Sequence, residues 1–142
     1  MKTIKTIKAS DIHIEFGGKN PPKDDYFIQL FTQSQKGELL CHMAIIKIEG
    51  IKPFSDYKPE ISERYRKWFE RKIAAHSSPP IYVYPKDDMF IMSDDYDAYN
   101  LYLEKGYKEM LCVVLGEAKG PFAIEKGKPF KLPPPTVEIM ND

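Results

Sequence analysis

Apolar residues recur along this chain in two rhythms, one every second position and one every third or fourth. In KTIKTIKASDIHIEF, residues 2–16, Ile4, Ile7, Ile12, Ile14 and Phe16 stand between polar residues, which predicts one or two short strands with one dry face. FGGKNPPKDD follows, and its Gly and Pro content predicts a loop. YFIQLFT and LLCHMAIIKI are bulky apolar runs with SQKGE between them. They predict a hairpin from about Tyr26 to Ile48.

The helical rhythm comes next. After the connector GIKPFSDYKP, Ile61, Tyr65, Trp68, Phe69 and Ile73 fall at helical spacing and predict a helix over 60–75. Pro59 and Glu60 open it, and Ser77, Ser78, Pro79 and Pro80 end it. IYVY and MFIM flank PKDD and predict a second hairpin. Ser93 to Asp95 cap a short helix over 95–105, with Gly106 as its stop. EMLCVVLGE reads as a buried strand. The Pro- and Gly-rich remainder, 118–142, reads as an extended arm on the domain or on a partner. This order argues an α+β fold, with a small mixed sheet, two main helices gathered on one side, an N-terminal hairpin extension and a C-terminal arm.

Composition sharpens the picture in four ways. A chain of 142 residues is one domain by default and needs neither disulfide nor metal to build a core. Lys plus Arg and Asp plus Glu number 21 each, so whole-body electrostatic binding of nucleic acid is not expected. Cys41 and Cys112 sit far apart in apolar runs and read as buried, reduced thiols of a cytoplasmic protein. No apolar run approaches the ~20 residues of a membrane span, and MKTIKTIKASD lacks the apolar stretch of a secretory signal.

The segment from Ile48 to Glu117 carries several phrases in a particular order. Ile51-Lys52-Pro53 follows a strand, a helix follows that, and then come Pro80-Ile81-Tyr82-Val83, a hairpin, a short helix, Gly106 and the apolar strand Met110 to Leu115. This order resembles the ParB/sulfiredoxin-like fold. In that family a motif of the type D-G-x-H-R at a helix start holds a nucleotide phosphate. At the matching place this chain has Ser93-Asp94-Asp95-Tyr96-Asp97-Ala98-Tyr99. A helix N-terminus favours an anion, and three aspartates cancel that field. The resemblance therefore implies the fold with its phosphate motif lost.

The candidate residues each carry a plain reading beside the functional one. Asp94, Asp95 and Asp97, with Asp87 and Asp88, are oxygen ligands that suit Mg²⁺ or Ca²⁺, although their spacing misses the D-x-D-x-D-G calcium loop. Their plain role is to cap a helix and favour its dipole. Arg64, Lys67 and Arg71 share one helix face and could meet a phosphate or an acidic partner. Glu60, Glu63 and Glu70 intersperse them, and Glu63–Lys67 is a stabilising i,i+4 pair. Tyr96, Tyr99, Tyr102 and Tyr107 crowd the short helix and its exit, with Tyr82 and Tyr84 on the preceding strand. Tyrosines so grouped suit a contact surface as well as a core. His13, His42 and His76 stand apart from one another, and His42 and Cys41 are strand neighbours that point to opposite faces. Phe16 to Asn20, F-G-G-K-N, is a turn without P-loop spacing.

The expectation is a non-enzymatic binding or regulatory domain without a cofactor, engaging a protein or nucleic acid. The alternatives are a metal-assisted nucleotide-binding protein or phosphate-ester enzyme using Mg²⁺ at the acidic turn 94–97, and a small accessory protein that forms homo-oligomers.

Overall fold

The computed structural model describes residues 22–131 in full and the backbone of 3–7 and 136–140. The readings on Ile12 to Phe16, on His13 and on Phe16 to Asn20 lie outside the described residues.

A helix, α1 (Asp25–Gln35), stands where the sequence predicted the first strand of a hairpin. Asp24 begins it, its Oδ1 accepting from the N–H groups of Tyr26 and Phe27 at 3.1 and 3.3 Å. Phe27, Phe31 and Ser34 then fall on one buried side, with half-buried Leu30 beside them, so the run obeys the helical period after all. Strand β2 (Cys41–Lys47) follows, and a single 3₁₀ turn (Ile48–Gly50) leads into β3 (Ile51–Pro53).

Helix α2 (Glu63–Ala74) starts three residues later than predicted, because Ser62 caps it by accepting from Tyr65 N–H at 3.1 Å. Tyr65 and Phe69 are buried on its inner side, whereas Trp68 and Ile73 are half-buried at the margin. The hairpin β4 (Ile81–Lys86) and β5 (Met89–Met92), helix α3 (Tyr96–Glu104) and strand β6 (Glu109–Leu115) match the sequence reading.

Helices α1, α2 and α3 (Tyr96–Glu104) end in the same hydrogen-bonded motif. The residue after each cap is left-handed, at Gly37 (φ 76), His76 (φ 56) and Gly106 (φ 79). The next N–H then reaches back to close the last turn, as Glu38 does to Gln33, Ser77 to Lys72 and Tyr107 to Tyr102.

Six strands form one mixed sheet in the order β3-β5-β4-β6-β2-β7, where β7 spans Ala123–Phe130. The predicted C-terminal arm is thus partly a strand of the sheet. A separate antiparallel pair joins β1 (Thr3–Ile7) to β8 (Thr136–Met140). The β3–β5 and β4–β6 pairs are parallel, and β4–β5, β6–β2 and β2–β7 are antiparallel.

Side chains alternate cleanly across the sheet. Ile46, Ile81, Val83, Phe90, Met92, Cys112 and Val114 face α2 and α3. Cys41, Tyr84, Ile91, Val113 and Leu115 face α1. Helices therefore cover both faces, where the sequence reading gathered two on one side. The class is α+β, with three α-helices among the described residues, and the sheet extends on both sides of 48–117 into β2 and β7. No helix among the described residues is long and apolar enough to cross a membrane.

Candidate functional site

The acidic turn lies where β5 gives way to α3. The ladder between β4 and β5 pairs Tyr84 with Ile91 and would next bring Tyr82 opposite Ser93. There the chain turns away, and Oδ2 of Asp95 takes the Tyr82 N–H at 2.8 Å. The carboxylate thus continues the sheet ladder in place of a backbone carbonyl.

This corrects the expected capping role. Asp95 occupies the cap position of α3 but makes no side-chain bond to the helix's own N–H groups. Its carboxyl group is turned inward although part of the residue reaches solvent. Burial, then the neighbouring charge of Asp94, then that of Asp97, hold the carboxyl well above the usual carboxylate range, and the Tyr82 bond opposes them only partly. Asp97 is 3% exposed and Asp94 half-buried. Ser93 is also buried, and its Oγ has no hydrogen-bond partner among the described residues. Tyr65, Tyr82, Tyr102 and Cys112 surround Asp95 electrostatically, and all are acids held protonated by burial, Tyr82 with its pKa pushed up to about 12.

Asp87 and Asp88 do not join the turn. They form the tight corner at the other end of β5, Asp87 at φ 56, a four-residue strand away from residues 94–97. Among the described residues no group of three or more His, Cys, Asp or Glu side chains is arranged to hold a metal ion.

Tyr96, Tyr99 and Tyr102 are 1, 8 and 1% exposed, so they build the core and not a partner surface. Ser55 N–H donates to the Tyr96 hydroxyl at 3.1 Å, and Ser55 Oγ lies 2.9 Å from it. The Tyr102 hydroxyl donates to Pro79 O at 2.7 Å, and its ring stands edge-on to Phe69 and to Tyr107. Half-buried Tyr82 meets Phe31 edge-on across the α1 face.

Arg64, Lys67 and Arg71 lie exposed on the outer side of α2. The residues beside them tie α2 to α3, since Arg66 pairs with Glu104 and Lys105 with Glu70 at 3.5 Å. His42 is bound to Gly116 O through Nδ1 at 2.7 Å, and His76 serves as the left-handed residue after α2.

Sequence reasoning missed Asp24. Besides capping α1, its Oδ2 accepts from the Tyr84 hydroxyl at 2.7 Å and so fastens α1 to β4. The available signal was an aspartate three residues before the first of the helically spaced Phe27, Phe31 and Ser34. The chain matches no protein-family model, and no curated protein matches it significantly.

Proposed function

We propose that the chain is a non-enzymatic binding domain of ParB-like fold in which the turn that would hold a nucleotide phosphate has become part of the scaffold. The observation that supports this reading is the bond from Tyr82 N–H to Asp95. The bond builds the turn's own carboxylate into the sheet ladder at the start of α3, and Asp94 and Asp97 flank it. A helix start favours an anion by about 0.3–1 kcal/mol. A carboxylate about 4 Å from a phosphate opposes it by roughly 4 kcal/mol at an effective dielectric near 20. Repulsion therefore prevails.

The partner, an acidic protein or a nucleic-acid backbone, meets the exposed Arg64, Lys67 and Arg71 on α2. Two unpaired, buried cysteines support a cytoplasmic setting.

Calorimetric titration with ATP and CTP tests the reading. No binding tighter than about 100 μM is expected without metal. Tighter metal-free binding would overturn it. Binding that needs Mg²⁺ and disappears in Asp94→Asn with Asp97→Asn would establish metal-assisted nucleotide binding instead. Retention on a heparin column should weaken in Arg64→Glu, Lys67→Glu, Arg71→Glu, and unchanged retention would remove α2 as the contact face.

A further inference from the structure

Strand β7 is held differently from the strand beside it. Its six inner residues, 124–129, are all exposed, and only Ala123 and Phe130 at its ends are partly buried. The helix layers stop short of it: Phe122 and Ala123 touch the core on the α2–α3 face, and Phe130 touches the core on the α1 face. Ladder hydrogen bonds to β2 therefore supply most of its hold, and two register shifts interrupt them. Pro129 has no N–H to give. In contrast, β2 buries Cys41, Ala44 and Ile46 to 0, 3 and 0% exposure.

Two pins fasten this strap. At its start the Phe122 side chain fills the space above Gly50, where an added Cβ would lie 2.3 Å from Phe122 Cγ, and Lys47 N–H donates to Phe122 O at 2.9 Å. At its end Phe130 lies directly opposite Cys41. The connection from β6, residues 116–121, carries Gly116 at φ 123 and Gly120 at φ 106. Glycine leaves such a conformation for an extended one without steric cost, so this connection can straighten.

We propose that β7 is a releasable strap that lifts from β2 while the other five strands stay folded, and that the strand fitting the uncovered β2 edge is the β7 of a second copy. A strand held by exposed hydrogen bonds, with few buried contacts, belongs to the least stable part of a fold. Its departure leaves a row of unpaired N–H and C=O groups along a seven-residue apolar strand, which re-pairs with a matching strand. β7 itself supplies that match, with both register shifts already in place, and a straightened 116–121 connection carries it to a neighbour.

Hydrogen exchange on the full chain tests the release. Amides of 123–130 should exchange at least roughly tenfold faster than those of β6. Equal protection of β7 and β6 would overturn the proposal. Mixing two isotopically labelled copies at high concentration tests the exchange, and mixed dimers are expected by native mass spectrometry. A chain that stays monomeric at millimolar concentration would overturn it. Phe130→Cys places a thiol opposite Cys41 and gives a reversible lock. The oxidised protein should lose dimer formation and slow its β7 exchange, while the reduced protein keeps both. Equal dimer formation by the two forms would count against β7 as the exchanged strand.

Discussion

The carboxylate of Asp95 sits 2.8 Å from the backbone N–H of Tyr82 and lies beside the charges of Asp94 and Asp97. Its folded-state pKa lies above the unfolded value, so the protonated form favours the fold. That contribution is complete below the unfolded value of about 3.9 and is lost as pH rises through the raised folded value. Asp95→Asn keeps an oxygen for Tyr82 N–H and carries no charge. It should be more stable than wild type above that folded value, by about 1.4 kcal/mol for each unit of elevation. Asp95→Ala should cost about 1–3 kcal/mol, because it strands the Tyr82 N–H. Urea unfolding between about pH 4 and 9 checks this, and coincident pH profiles for wild type and Asp95→Asn would refute it.

Phe69 is fully buried against Tyr102, with ring centroids 4.9 Å apart. Phe69→Ala should cost about 3–5 kcal/mol. Trp68 is half-buried beneath Lys72, and Trp68→Ala should cost about half as much. Denaturant midpoints that rank the two variants in the opposite order would mean that α2 is rotated on the sheet.

Gly50 owes its place to space. An added methyl would meet Phe122 Cβ and Cγ at 2.3 Å. Gly50→Ala should destabilise by about 1–3 kcal/mol. Near-wild-type stability in the variant, measured by thermal or chemical unfolding, would show that Phe122 does not pack there.

His76 adopts a left-handed conformation after α2 that glycine adopts without strain. His76→Gly should stabilise the protein by up to about 1 kcal/mol. A destabilised variant would mean that the imidazole makes a contact worth more than the strain.

Cys41 and Cys112 are both buried, and burial pushes both thiols up. A thiol reagent at neutral pH should label neither in the native protein and both on unfolding. Rapid native labelling of either would contradict this packing.

Strong periodicity made part of the fold legible. Tyr65 and Phe69 marked α2, and the Lys86–Met89 corner marked its hairpin, because both signals are local. The run YFIQLFT misled because aromatic and β-branched residues favour strands in isolation. What decides for a helix is the Asp24 cap, and Asp24 is fixed in turn by Tyr84, 60 residues away. The tyrosines of α3 were ambiguous for a related reason. A tyrosine enters a core only if its hydroxyl finds a partner, and Tyr96 and Tyr102 find Ser55 and Pro79, 41 and 23 residues away. The role of Asp95 was hidden likewise, since its partner is 13 residues upstream on another strand.

The position of β6 between β4 and β2 bears on synthesis. A nascent chain that ends before Glu109 contains β2 and the β3-β5-β4 group, but these two pieces share no neighbour until β6 slots between them. Both helix layers rest on a sheet that does not yet exist. Closure therefore waits for a late, long-range pairing, which makes folding slow and leaves apolar strands uncovered in the interval. The domain completes itself after its last third leaves the ribosome.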